Sequence, residues 1–290
     1  MSLPAPVSQT FLSQRLRLHY LDWGNEGAPL LILQHGGRDH CRSFDAVAEE
    51  LRRDWHVIAP DLRGHGDSEW SADGDYSLTA FVYDFAQLIH ALGDGPVTLI
   101  GHSLGGNVVA RYAGIYPARV AKMVNIEGLG FTAKSIAERA EKGYAELMRR
   151  WIELRRSIST RPRRTYPDFE AALARMMEAN RHLTDAQARH LTLHGTRHNE
   201  DGTLSWKYDH YINAWYPVDA TYEQIREVWA AIDCPSLLLW GRDSFFSSPD
   251  EDGRLACFRN AELKIYDDAG HWLHHDQFDR FMADIKAFLG

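Results

Sequence analysis

The chain of 290 residues is 44% hydrophobic and 25% charged, an ordinary globular composition that excludes general disorder and is long enough for one large core plus an inserted subdomain. Its formal net charge of -8 argues against a general nucleic-acid binder, which needs Lys and Arg clustered in excess to neutralise phosphates. Cys41, Cys234 and Cys257 stand at no metal-like spacing and fit a reducing compartment better than a disulfide framework. The first 20 residues lack the apolar core of a signal peptide, and no run approaches the roughly 18 apolar residues of a membrane span, so a cytoplasmic protein with no membrane partner is expected.

In chain order, "PLLILQ" (29–34) reads as a strand, Phe44, Val47 and Leu51 mark a helix, and "WHVIAP" (55–60) reads as a second strand. Leu78, Phe81, Val82, Phe85, Leu88, Ile89 and Leu92 define one helix face, followed by the strand "PVTLIG" (96–101), a further helix, and the strand "VAKMVNIEG" (120–128). From about 130 to 230 the β signal vanishes and apolar residues take helical spacing, as in Tyr144, Leu147, Met148 and Trp151. Strands return at "PSLLLWG" (235–241) and "ELKIYD" (262–267), and a helix with Phe278, Phe281, Met282, Ile285 and Leu289 on one face closes the chain. The alternation predicts an α/β fold with a mostly parallel, doubly wound sheet. Residues 1–129 and 231–290 form its core, and 130–230 is too long for a loop and is expected to pack as a helical cap, or lid. The insertion carries 16 Lys and Arg against 14 Asp and Glu, which a solvated helical face explains at least as well as an anionic substrate.

"TLIGHSLGGNVVARY" (98–112) carries the chemistry. Gly101-His102-Ser103-Leu104-Gly105 has the G-x-S-x-G form at a strand-to-helix junction, where a sharp turn lifts the serine above the sheet edge and small flanking residues admit the close approach of strand and helix. A serine hydroxyl is a weak nucleophile and needs a base within hydrogen-bond reach and an acid that orients the base. His271, after Gly270 and just beyond the last predicted strand, is the expected base; His274 and His275 are read as solvent-facing or capping residues of the final helix. An oxyanion formed on an attacked carbonyl needs two backbone N–H donors, expected from Leu104 and from Gly37 in the turn "HGGRDH" (35–40). His35 is read as a hydrogen-bonded turn residue.

These landmarks, with "DLRGHGDS" (61–68), "WGRDS" (240–244) and "AGHW" (269–272), resemble the α/β-hydrolase superfamily, the branch with a helical cap. A serine in the elbow resembles esterases, lactonases and carbon-carbon bond hydrolases, whereas epoxide hydrolases and dehalogenases of that fold place aspartate there. The resemblance leaves two candidates for the acid. Many members carry it three residues beyond the glycine that ends the strand matching "PSLLLWG", a position held here by Ser244, with Asp243 one residue early. Other members place glutamate at the end of the strand following the elbow, which here is Glu127. Glu127 is the preferred acid and Asp243 the alternative.

His190, His194 and His198 recur every four residues, as three ligands on one helix would, but Gly195 and Thr196 are read as interrupting the helix and no H-E-x-x-H is present, so no metal is expected. No dinucleotide or phosphate-loop fingerprint occurs, and no cofactor is expected. Trp206, Tyr208, Tyr211, Trp215 and Tyr216 could line a pocket or form the cap's own core. The reading is a serine hydrolase that cleaves a small to medium carboxylic ester or lactone through an acyl-enzyme. The alternatives are carbon-carbon bond hydrolysis, perhydrolysis or cofactor-free oxygenation on the same triad, or a ligand receptor with weak turnover.

Overall fold

The structure is a computed structural model that describes residues 4–217 and 219–290. Eight strands form one sheet: β1 (Val7–Ser13), β2 (Leu16–Asp22), β3 (Leu30–Gln34), β4 (His56–Pro60), β5 (Val97–His102), β6 (Val120–Ile126), β9 (Ser236–Gly241) and β10 (Ala261–Tyr266), in the order β1-β2-β4-β3-β5-β6-β9-β10. β2 runs antiparallel to both neighbours and every other pair is parallel. β5 and β9 are buried at all six positions, as central strands covered on both faces must be, and their sequences are accordingly apolar without alternation.

The period of two divides the sheet's side chains between two cores. Ile32, Leu99, Met123 and Leu238 face α2 (Leu78–Leu92) and α3 (Leu104–Ile115). Leu31, Leu33, Ile100, Val124, Leu237 and Leu239 face α1 (Asp45–Leu51) and α10 (Phe278–Leu289). α2 begins where Ser77 accepts the Ala80 N–H at its N-cap, and its stripe of Phe81, Phe85, Leu88 and Ile89 enters the first core. The result is the doubly wound α/β architecture that the element order predicts.

The hairpin β1–β2 carries no turn signal of the usual kind. Gln14 and Arg15 take the left-handed positions of its two-residue turn, with φ of 46° and 72°, where Asn-Gly is the common pair.

Between β6 and β9 lie α4 (Ala133–Ala140), α5 (Tyr144–Thr160), α6 (Phe169–Ala179), α7 (Asp185–Gly195) and α8 (Tyr222–Ala230). The segment is not wholly helical: β7 (Thr196–His198) and β8 (Leu204–Trp206) form a hairpin whose three-residue strands are too short to show alternation in the sequence. α7 continues through Gly195, so His190 and His194 share a helix face after all, while His198 lies off the helix in β7. α8 packs on α3 rather than on the other inserted helices, with Ile225 and Trp229 entering the sheet's own core. Among the described residues, no helix is long and apolar enough to cross a membrane.

Candidate active site

Ser103 stands between the end of β5 and the start of α3 with φ 53° and ψ -116°, a conformation costly for a residue with a Cβ. The glycines around it answer to steric demands. A Cβ on Gly105 would lie 2.4 Å from the carbonyl oxygens of Gln34 and His35, and one on Gly101 would lie 2.6 Å from the Gly105 carbonyl oxygen. Helix and strand can meet at this turn only if both positions lack a side chain.

His271 sits in the loop between β10 and α9 (Leu273–Asp276). Its Nε2 lies 2.9 Å from Ser103 Oγ and its Nδ1 lies 2.5 Å from Glu127 Oε2. With the proton on Nδ1 donated to the carboxylate, Nε2 is left to accept the serine proton. Glu127 follows the last residue of β6, has φ 51° and is 2% exposed. Two further donors hold it: the Gly241 N–H reaches Oε1 at 2.7 Å, and the Ser244 hydroxyl reaches Oε2 at 2.6 Å. A buried carboxylate with three donors is oriented before any substrate arrives.

Asp243 is exposed and makes no side-chain hydrogen bond among the described residues; its backbone N–H donates to the Ala269 carbonyl. Ser244, the position to which the family resemblance would assign the acid, donates its hydroxyl to Glu127 instead. The structure thus brings Ser103, His271 and Glu127 into one chain of hydrogen bonds and leaves Asp243 outside it.

Leu104 and Gly37 both line the cavity above Ser103. As the first residue of α3, Leu104 has an N–H with no preceding turn to receive it. The Gly37 N–H has no hydrogen-bond acceptor among the described residues. Close backbone approach, however, is the demand on Gly36: a Cβ there would meet His102 Nδ1 at 2.9 Å and Ser103 Cβ at 3.1 Å, whereas one on Gly37 would make ordinary contact with Leu104 at 3.7 Å.

Several supporting residues escape a reading of the sequence alone. His102, inside the elbow motif, is 1% exposed, and its Nε2–H donates to the His271 carbonyl oxygen at 2.9 Å, tying the histidine loop to the elbow. Burial pushes this imidazole well below its usual range and keeps it neutral. Asp276 holds the same loop by accepting the Gly270 N–H at 2.9 Å. Phe245 and Phe246 pack their rings 4.8 and 5.2 Å from that of His271. His274, read as a solvent-facing or capping residue, is neither: it is 1% exposed and stacked on Phe44, because the four-residue α9 turns it inward beneath the elbow. His35 is fully buried and its Nε2 accepts the Leu62 N–H at 3.0 Å, the turn role expected of it.

A cavity of about 1890 Å³ opens above Ser103 between the sheet and the inserted helices. Trp206, Tyr208, Trp215 and Tyr216 all line it, so four of the five aromatics near the end of the insertion face the cavity. Tyr211 is not among its lining residues and packs instead under the Arg155 guanidinium.

Residues 29–278 match the family model of the alpha/beta hydrolase fold, and the chain belongs to that family. Among curated proteins it is 28% identical to epoxide hydrolase 4 of Mus musculus over 290 residues, covering 94% of this chain and 76% of the relative. It is 28% identical to esterase Rv0045c of Mycobacterium tuberculosis over 292 residues, covering 98% of this chain and 90% of the relative. A solved structure of that esterase superposes with a TM-score of 0.77 at 25% identity, over 99% of this chain and 92% of the other. The thioesterase domain from the curacin biosynthetic pathway, at 23% identity, shares the fold with a TM-score of 0.84 over 98% of this chain and all of that domain.

Proposed function

We propose that the protein is a serine hydrolase that cleaves a carboxylic ester or lactone through an acyl-enzyme. The observation that carries this reading is the unbroken chain from Ser103 Oγ through His271 to the buried Glu127 carboxylate. His271 takes the hydroxyl proton as Ser103 attacks the carbonyl carbon, and Glu127 stabilises the imidazolium that forms. The N–H groups of Gly37 and Leu104 hold the oxyanion as it develops. The imidazolium then protonates the leaving alcohol, and a water activated by the same base releases the acid. Similarity to both an epoxide hydrolase and an esterase leaves the bond to be cleaved open at the level of family. The residue at the elbow favours the ester, because the epoxide hydrolases of this fold resemble one another in carrying aspartate there, and this chain carries Ser103.

Within residues 130–230 the elements before α8, which itself packs on the core, act as the cap that covers the reacting centre, excludes bulk water and selects the substrate. The cavity exceeds the roughly 300–1,000 Å³ of a drug-sized ligand site, which favours the bulkier end of a small-to-medium substrate range. The aromatic lining favours apolar or aromatic acyl and alcohol groups. The partner is a small molecule rather than a nucleic acid, and the free thiols of Cys41, Cys234 and Cys257 favour the cytoplasm. A screen of aryl esters, alkyl esters of short and medium chain, and lactones tests the proposal. Turnover of at least one class is expected, abolished in Ser103→Ala. Equal turnover by that variant, or none with any acyl substrate, would refute it.

A further inference from the structure

Away from the catalytic centre, the inserted helix α7 and the core helix α1 meet at three ligand-type side chains. His190 and His194 stand one turn apart on one face of α7, their rings 4.7 Å apart between centroids. Asp45, the first residue of α1, faces them. One donor atom from each of the three lies within 4.8 Å of the other two. The two oxygens of Asp45 are used unequally. Oδ2 accepts from Arg42 Nη1 at 3.0 Å and lies 3.3 Å from His190 Nε2. Oδ1 is buried and has no partner among the described residues, an arrangement that is costly for a carboxylate unless something completes it.

A second cluster, His19, Cys41 and Asp61, differs on this point. Asp61 there already accepts from His19 Nδ1 and from the backbone N–H groups of Cys41 and Asp67, at 2.7, 2.7 and 3.0 Å. It has no comparable vacant oxygen.

We propose that Asp45, His190 and His194 form a binding site for a divalent transition-metal ion of the Zn²⁺ class, joining the inserted helices to the core. Two imidazoles and a carboxylate suit borderline ions such as Zn²⁺, Ni²⁺ and Cu²⁺, whereas Ca²⁺ and Mg²⁺ prefer oxygen ligands throughout. Three protein ligands leave a fourth position for water. Bond lengths of about 2.0–2.2 Å require the three donor atoms to draw together, a movement that side-chain rotation on two facing helices supplies. The seam is already crossed by hydrogen bonds from His40 Nε2 to the Leu191 carbonyl and from His190 Nε2 to the Arg42 carbonyl, both 3.0 Å. Ligation through His190 Nε2, the nitrogen nearest Asp45, would replace its hydrogen bond to the Arg42 carbonyl with a metal tie that resists separation of α7 from α1. The Arg42 guanidinium, on the other oxygen of Asp45, opposes the ion's charge and sets a moderate rather than a tight affinity.

The test is a Zn²⁺ titration of the full chain at pH 7.5 in competition with a chromophoric chelator, with thermal melting in parallel. Four variants are compared with the parent: His190→Ala, His194→Ala, the isosteric Asp45→Asn, and His271→Gln, which removes the imidazole facing Ser103. Expected are at least tenfold weaker binding in each of the first three, no change in His271→Gln, and a Zn²⁺-induced rise in melting temperature lost with His194→Ala. Less than tenfold weakening in either histidine variant, or loss of binding in His271→Gln, would overturn the assignment. Asp45→Asn keeps the shape of the side chain and guards against misreading a folding defect.

Discussion

Two residues with unfavourable backbone angles sit side by side at the C-terminal ends of two adjacent strands of the sheet. Ser103 and Glu127 follow the last residues of the adjacent parallel strands β5 and β6, and each has φ near 50°. Their backbone N–H groups continue the ladder, donating to the carbonyls of Ile126 and Leu239. The strain, of order 1–3 kcal/mol per residue, is held by those hydrogen bonds and directs both side chains toward His271. Because Gly241 holds Oε1 and Ser244 shares Oε2 with His271, the carboxylate is fixed in place, and in the proposed mechanism its charge rather than its bulk acts on His271. Glu127→Gln is therefore expected to lower kcat for ester cleavage on the scale of the ~10⁴ seen when a triad acid is neutralised. Asp243→Asn should change it less than about threefold, since an exposed side chain without a partner contributes little. Steady-state kinetics of the two variants decides between them, and the opposite ranking would move the role to Asp243.

At the scale of elements, α8 fastens the end of the insertion to α3. A Cβ on Gly114 of α3 would lie 2.1 Å from the Val228 carbonyl oxygen of α8, so the two helices touch backbone to backbone. Gly114→Ala must part them, an overpacking cost of about 1–3 kcal/mol and a melting temperature lower by roughly 2–4 °C for each kcal/mol. Gly95→Ala is the control, since nothing lies within 4 Å of a Cβ there. Equal melting temperatures for the two variants would show that the α3–α8 contact is not tight. The same scale explains what the sequence makes legible. β5, the elbow and α3 are written locally, as an apolar run, a glycine-fenced serine and a helical repeat, and so were readable. The β1–β2 hairpin was not, because Gln14 and Arg15 hold a turn usually marked by glycine. The inward turn of His274 was hidden for a similar reason: it depends on how α9 docks beneath the elbow, not on the neighbours of His274 in sequence. The choice of acid was open because it turns on where the chain after Gly241 points Ser244 and Asp243. A shift of one residue decides that in space and leaves little trace in composition.

For the molecule as a whole, buried neutral histidines couple folding to pH. His35 and His65 are fully buried, and burial pushes their imidazoles down to about 3 and about 4. Above an ordinary histidine pKa of about 6.5 both the folded and the unfolded chain hold them neutral, and their contribution to stability is complete. As pH falls below that value the unfolded chain takes up protons that the folded chain refuses. Stability then declines by up to about 1.4 kcal/mol per pH unit for each histidine, levelling only below their folded values. Urea midpoints should stay nearly level from pH 7.5 to about 6.5 and then fall toward pH 5, and a constant midpoint from pH 6.5 to pH 5 would contradict this account of the buried imidazoles. On the proposed function, the fold as a whole holds Ser103 where its oxygen can become covalently acylated. The most direct test is rapid acid quenching of the enzyme with an activated aryl ester, followed by mass spectrometry of the peptide that contains Ser103. The account predicts an acyl adduct on Ser103 that forms within the first turnover and is absent from Ser103→Ala. Ester turnover with no adduct on Ser103, or with the adduct on another residue, would contradict it.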